Sequence, residues 1–242
     1  MKVAKPVLSS CLALTAILLS LLTGCNSTID PVLPEPTAIF PVDSGKTRMY
    51  YVMDTVYQST GGQFDDLRYY KRELGGGTAK DLLGRELSKL LIYTSPDSLD
   101  SMSNPVFSWT FSELWSRFAD DQGAELSEGN IRYQVLKFPI MEGLSWDGNS
   151  LNDEGEQTYE YISVDSTVTV NGIEFDDCVV VLQVPFRTAG TKISFYIEEF
   201  AYEIYAPGVG KIFKYKKVYS QQNPSDIDTD SRVLIETIVS WD

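Results

Sequence analysis

The chain has 242 residues and carries 34 acidic against 20 basic side chains, so its formal net charge at neutral pH is −14. A surface this acidic repels nucleic acid phosphates and anionic lipid headgroups, which argues against DNA, RNA and polybasic membrane docking. The chain contains no histidine, and this removes the commonest general base, the Ser-His-Asp and Cys-His arrangements and the usual zinc and copper ligands.

Residues 1–24 have the layout of a lipoprotein signal peptide. Lys2 and Lys5 supply a positive start, and an apolar run follows over residues 11–22. A small residue followed by Cys25 is the pattern of a bacterial lipobox, so we expect cleavage before Cys25 and lipid, including palmitate, on its thiol. A single membrane-spanning helix is the alternative, but the run falls short of the about 20 apolar residues that a bilayer core requires.

Residues 25–45 contain four prolines among Ser, Thr and Asp, which is typical of an extended tether with polyproline character. About twenty such residues at about 3.1 Å each would reach roughly 60 Å. Because Asn26, not Asp, follows the expected lipidated cysteine, we expect an anchor in the outer membrane, on its periplasmic face or at the cell surface. Residues 46–242 are expected to form a single β-rich domain.

Alternation of apolar and polar residues predicts strands along most of this domain. The clearest stretch runs from Ile162 to Val170 and meets Asn171-Gly172, the pair that a two-residue type I′ turn requires. Ile173 to Val184 would return as the second strand of this hairpin. Further strands are expected over residues 49–57, 85–93, 131–138, 193–204, 212–219 and 233–241.

Helix is expected only over residues 112–119, as one or two turns capped by Ser112, with Leu114, Trp115 and Phe118 packed inward. The predicted fold class is therefore mainly β, an antiparallel, curved or barrel-like sheet with at most one short helix. Two stretches, 54–66 and 165–177, share an Asp-Thr/Ser pair and a Phe-Asp-Asp run. Either a duplication that gave two similar halves or chance similarity between two hairpins would produce this echo.

Cysteine usage excludes an internal disulfide in the mature monomer. Cys11 would leave with the signal peptide and Cys25 would carry lipid, so only Cys178 remains. Cys178 begins an apolar run, for which a buried and inert thiol is expected.

Acidic side chains offer two candidate sites. Asp226, Asp228 and Asp230 resemble the first half of a calcium loop, but Ser231 stands where the sharp turn needs glycine and Glu236 is one residue early. A plain acidic loop is the alternative.

Glycoside hydrolysis needs two carboxyl groups about 5–10 Å apart. The adjacent acids at 65–66, 176–177 and 198–199 would face opposite sides of a strand, which disfavours that chemistry.

Aromatic residues are abundant and could form a sugar-binding surface. The candidates are the four tryptophans and the tyrosines at 50–51, 69–70, 215 and 219. The alternative is that they pack in the core, because strands favour aromatic residues and tryptophans are mostly buried. The tryptophans are Trp109, Trp115, Trp146 and Trp241.

Several stretches resemble a group of envelope lipoproteins of the Bacteroidetes that has no known activity. They are residues 136–139, 143–149 and 159–161, Asn171-Gly172 running into 175–178, and the turn 205–211. The resemblance spans about residues 46–220, and its motifs are structural. It implies a β-rich envelope domain and no catalytic or binding residues.

The sequence thus favours a lipid-anchored, non-catalytic envelope protein that binds a glycan or a protein partner. The alternatives are a structural subunit of an envelope assembly and a carboxylate-dependent glycan hydrolase. We assign no catalytic residue, no metal ligand and no cofactor from the sequence, and the one site residue is the lipid attachment site Cys25.

Overall fold

The computed structural model describes residues 36–58, 63–99, 104–191, 195–223, 226–228 and 231–242. The expected signal peptide, Cys25 and the first part of the expected tether lie outside these residues. Within them, one four-residue helix, α1, precedes thirteen strands. The elements are α1 (Pro36–Ile39), β1 (Thr47–Tyr57), β2 (Phe64–Lys80), β3 (Glu86–Pro96), β4 (Thr110–Ala119), β5 (Gly123–Glu128), β6 (Ile131–Lys137), β7 (Ser145–Asp147), β8 (Thr158–Val170), β9 (Ile173–Gly190), β10 (Tyr196–Ala206), β11 (Gly210–Asn223), β12 (Asp226–Ile227) and β13 (Arg232–Trp241).

All thirteen strands belong to one antiparallel sheet with the order β6-β5-β4-β3-β2-β1-β13-β11-β10-β9-β8-β7, and β12 pairs with β11 beside this path. The two edges meet around β6 and β7, where Trp146 Nε1 donates to the Gln134 carbonyl at 2.8 Å and Gln134 N donates to the Gly148 carbonyl at 2.9 Å. The sheet is therefore a nearly closed barrel. This confirms the predicted fold class.

The β8–β9 hairpin confirms the clearest sequence prediction. Asn171 and Gly172 form the two-residue turn with φ values of 52° and 77°, the left-handed values that a type I′ turn requires at both positions. Val170 pairs with Ile173 directly across this turn. Of the two stretches that echo each other in sequence, one lies on this hairpin, and the described residues of the other belong to or adjoin the paired strands β1 and β2.

The helix expected over residues 112–119 was wrong, because this segment is part of β4. Trp115 pairs with Leu90 of β3, and Phe118 pairs with Glu125 of β5. Trp115 and Arg117 are buried, whereas Ser112 and Leu114 are exposed, which is the alternation of a strand. Eight residues are too few for a helix to hold without packing support, and pairing on both sides supports a strand instead.

The expected tether ends earlier than predicted. Ile39 is fully buried and Phe40 is 8% exposed in the barrel core. The backbone around them is also fixed, since Gly208 N donates to the Ala38 carbonyl at 2.7 Å and Gly45 N donates to the Gly75 carbonyl at 2.8 Å. Residues from about 38 onward are thus part of the domain that was expected to begin at residue 46.

This segment closes one end of the barrel, where β1 begins and β13 ends; we call it the N-terminal end. The opposite end, where β1 ends and β13 begins, is the distal end. No helix among the described residues is both long and apolar enough to cross a membrane.

Candidate functional site

The barrel interior contains a row of alternating charges. Glu203 of β10, Lys214 of β11 and Glu236 of β13 are direct cross-strand neighbours. Glu203 is 4% exposed and Glu236 is 6% exposed. Lys214 Nζ lies 3.1 Å from Glu203 Oε1. Opposite charges at facing positions stabilise neighbouring strands. The row therefore favours the observed register of β10, β11 and β13.

Two further lysines surround Glu236. Lys71 Nζ lies 2.6 Å from Glu236 Oε1 and 3.3 Å from Glu73 Oε1. Lys211 Nζ lies 2.8 Å from Glu236 Oε2, close enough for an ion pair although off the hydrogen-bond direction. Burial alone would raise the pKa of Glu236, but Lys211 and Lys71 outweigh burial and lower it. The ammonium groups of Lys71 and Lys211 also lie over the Tyr50 ring, 4.8 Å and 5.5 Å from its centre.

Arg48 of β1 and Arg117 of β4 form a second buried group, which we call the arginine pair; they are 5% and 4% exposed. Arg117 Nη1 donates to the Pro41 carbonyl at 2.9 Å, and Arg48 Nη2 approaches the same oxygen at 3.5 Å. Arg48 Nε donates to the Val209 carbonyl. Nε and Nη2 of Arg117 have no hydrogen-bond partner among the described residues. Burial and the nearby Arg48 lower the pKa of Arg117 to about 10.

The arginine pair lines a narrow cavity of about 40 Å³ at the N-terminal end. Its wall combines aromatic and aliphatic side chains with charged ones, and Glu203 is the member of the charged row that lines it. Glu73 and Lys211 also line it, and its apolar lining comprises Phe40, Pro41, Leu90, Trp115, Leu126 and Tyr205.

A wide cavity of about 380 Å³ lies toward the distal end. Strands β5, β6, β8, β9, β10, β11 and β13 contribute to its wall, together with the β7–β8 connection. Glu203 and Leu126 also border the narrow cavity, so these two residues separate the cavities. The polar lining of the wide cavity comprises Glu128, Tyr133, Asn149, Glu154, Gln157, Tyr159, Gln183, Glu203, Lys214, Lys216 and Arg232.

Two tyrosines give the wide cavity an aromatic wall. Tyr159 is 7% exposed, and its ring packs edge-on against Trp146 with centres 5.9 Å apart. Gly148 makes room for this ring, because a Cβ there would lie 2.5 Å from Tyr159 Cζ. Burial, with Glu128 and Glu154 nearby, raises the pKa of Tyr133, so this hydroxyl stays protonated at neutral pH. Uncharged hydroxyl and amide groups beside aromatic rings suit a ligand rich in hydroxyl groups.

The aromatic residues proposed from the sequence do not form one surface. Trp115 and Trp146 are each 8% exposed and Tyr50 is fully buried, so these residues belong to the core. Trp241, which is 39% exposed, lies against Phe175 at 5.2 Å.

Trp109 belongs to a patch outside the barrel that we call the outer aromatic patch: Tyr51, Tyr70, Phe107 and Trp109. Its rings follow one another at centre distances of 5.3 Å, 4.9 Å and 5.3 Å. The Arg72 guanidinium lies 4.6 Å from the Trp109 ring centre.

The acidic candidates separate as well. Glu198 pairs with Lys217 at 2.5 Å and Glu199 with Arg187 at 3.3 Å, so these neighbours engage different cations. Asp230 of the calcium-like loop lies outside the described residues. In the part of the chain that the structure describes, no three Asp, Glu, Cys or His side chains form a metal-binding group.

Cys178 is fully buried, and burial raises the pKa of its thiol to about 11. An inert thiol follows, as expected, because the thiolate is the reactive form.

Sequence reasoning missed the interior charges, although a signal for them was present. Glu236 lies in phase with Leu234 and Ile238 of β13, and Arg48 lies in phase with Tyr50 of β1. A charged residue on the apolar phase of a strand is the pattern that marks such a position.

Comparison with known proteins finds no matching family model and no matching curated protein. Two solved structures match, each at 12% identity. One is a protein of Bacteroides fragilis described as exported and with a YmcC-like fold, with a TM-score of 0.41 over 84% of this chain and 99% of that chain. The other is described as a lipoprotein of Parabacteroides distasonis, with a TM-score of 0.46 over 86% of this chain and 100% of that chain.

Proposed function

We propose that the protein is a lipid-anchored envelope protein whose barrel is a non-catalytic binding module for a hydroxyl-rich ligand such as a short glycan. The wide cavity carries this proposal. Its volume of about 380 Å³ lies within the range of about 300–1,000 Å³ typical of small-molecule sites. Its wall combines tyrosine rings with amide side chains, the groups that stack on sugar rings and bond their hydroxyls.

The state of Glu203 supports binding over hydrolysis. A glycosidase needs one carboxyl group with a raised pKa to act as general acid. Burial would raise the pKa of Glu203, but Lys214 and Lys211 outweigh it and lower this pKa. Glu203 also accepts a hydrogen bond from the Tyr205 hydroxyl at 2.5 Å. Glu203 therefore stays ionised, and its hydrogen bond and ion pair fix its position. This state suits a charged wall of a binding site better than a general acid.

The N-terminal end also carries exposed apolar side chains. Leu82 and Leu83 of the β2–β3 turn are 105% and 80% exposed there, at the end where the chain's first described residues lie. In an envelope protein, such a pair would suit contact with a membrane or a partner.

The ligand test is calorimetry of the full chain against neutral oligosaccharides, with a matched pair of variants. Glu154 and Glu156 are both exposed and two residues apart, but only Glu154 lines the wide cavity. We expect Glu154→Ala to weaken binding of the best oligosaccharide at least fivefold and Glu156→Ala to leave it unchanged. Equal effects of the two variants, or no binding by the wild type, would contradict the proposed site.

The anchor test is fractionation of cells that express the wild type or Cys25→Ser. We expect the wild type in the outer-membrane fraction, with palmitate incorporated at Cys25. The variant is expected to lose palmitate and leave that fraction. Continued recovery of an unlabelled variant with the outer membrane would refute lipid anchoring.

The outer aromatic patch favours a second candidate function, docking of an envelope protein partner. Phe107, a member of this patch, is 40% exposed. Exposed aromatic residues are enriched at protein interfaces. Crosslinking in cells from Phe107 replaced by a photoreactive analogue would capture such a partner, and the same analogue at exposed Gln222 is the control.

A further inference from the structure

We infer that the arginine pair is a binding site for a carboxylate group in the narrow cavity. The observation is that Arg117 is 4% exposed and lines this cavity, while its Nε and Nη2 have no hydrogen-bond partner in the part of the chain that the structure describes. A buried charged donor without a partner is costly. An anion in the cavity would remove that cost. The inference is independent of the glycan proposal.

The ion pairs of the barrel interior do not include the arginine pair. Three lysines and three glutamates neutralise one another through contacts of 2.6–3.3 Å; these are Lys71, Lys211, Lys214, Glu73, Glu203 and Glu236. Among the ion pairs of the described residues, neither Arg48 nor Arg117 has a carboxylate partner. Both approach the same Pro41 oxygen within 3.5 Å, so two buried cations lie side by side.

The unpaired atoms of Arg117 identify the kind of anion. Nε and Nη2 form one edge of a guanidinium group, and this edge matches the two oxygens of a carboxylate. The protein uses that edge elsewhere: Arg232 donates from Nε to Asp54 Oδ1 and from Nη2 to Asp54 Oδ2, both at 2.6 Å. In Arg117 the same edge is buried, and no described residue places a carboxylate against it.

The cavity has room for such a group. One water needs at least about 10–15 Å³ of volume measured in this way, so about 40 Å³ accommodates the three heavy atoms of a carboxylate. Glu73 and Glu203 also line the cavity, but Lys71 and Lys214 hold them. Of the cations at the wall, Arg48 and Arg117 have no carboxylate partner among the described residues, and they give the wall its net positive charge.

Two sources of the carboxylate are distinguished by the test: a small free anion, and a sugar acid whose ring would lie outside this narrow cavity. The test uses the full chain, dialysed into sodium chloride, and measures equilibrium binding of labelled acetate and of labelled glucuronate. We expect saturable binding of one carboxylate per chain. Tighter binding of glucuronate than of acetate would identify a sugar acid, and the reverse order would identify a small free anion.

Two variants test the role of Arg117. Arg117→Met should abolish acetate binding, and Arg117→Lys, which keeps the charge but loses the two-donor edge, should weaken it at least tenfold. Arg68→Met, which removes an exposed arginine, should leave it unchanged. In chloride buffer without carboxylate, Arg117→Met should unfold at the same temperature as the wild type or higher, because an unpaired buried charge is gone. Absence of saturable binding to the wild type, or equal binding by Arg117→Met, would overturn the inference.

Discussion

Replacing Glu236 by glutamine removes the carboxylate at the centre of the interior charges and keeps the shape of the side chain. Glu236 lies 2.6 Å from Lys71 Nζ and 2.8 Å from Lys211 Nζ. After the substitution, Lys71 would still form an ion pair with Glu73 at 3.3 Å. Lys211 would then have no carboxylate within 4.0 Å among the described residues. Removal of one partner from a buried ion pair costs about 3–5 kcal/mol. We expect a loss of this size in the free energy of unfolding.

The assay is urea unfolding of the full chain at pH 7, with Glu174→Gln as the control. Glu174 is exposed, so its substitution should change the free energy of unfolding by no more than about 0.5 kcal/mol. Adding Lys211→Met to Glu236→Gln should restore part of the loss, because the lysine left without a carboxylate is then gone. A change below about 1 kcal/mol in Glu236→Gln would refute the reasoning that these charges are buried and paired.

Three further outcomes follow from the structure. The pKa of Glu236 is lowered from an ordinary value of 4.5, so its contribution to stability is present above pH 4.5 and is lost as the pH falls below it. When unfolding is measured across acid pH, the free energy of unfolding should therefore fall less in Glu236→Gln than in the wild type. Gly148→Ala should lower the free energy of unfolding by about 1–3 kcal/mol and weaken oligosaccharide binding, since its Cβ would lie 2.5 Å from the Tyr159 ring. Gly77→Ala is the control in the same urea and binding assays, because no described atom lies within 4 Å of its Cβ position. Ile39→Ala should cost about 2–5 kcal/mol, as thermal or urea unfolding would show, because Ile39 is fully buried; an unchanged stability would mean that this segment is a tether after all.

Local patterns predicted the fold class and the β8–β9 hairpin, because Asn171-Gly172 restricts the turn and strict alternation fixes the flanking strands. The same approach failed at β4. The spacing of Trp115 and Phe118 fits a helix. The conformation of this segment is instead determined by its pairing with β3 and β5, which come from other parts of the chain. A local pattern contains no information about such partners.

The candidate sites depend on convergence of distant segments. The narrow cavity joins Arg48 of β1, Arg117 of β4 and Pro41, which precedes the sheet. Each residue is unremarkable in its own stretch of sequence, and Pro41 indicated a tether. The charged positions on apolar strand phases were visible at Arg48 and Glu236, but only the register shows which charges pair and which arginines remain.

The most direct test of the binding-module account is amide NMR of the full chain during titration with the tightest oligosaccharide found by calorimetry. The account predicts that the largest shifts occur at Gln157, Tyr159 and Gln183, which line the wide cavity. Shifts confined to Phe107 and Trp109 of the outer aromatic patch, or no shifts at saturating ligand, would contradict it.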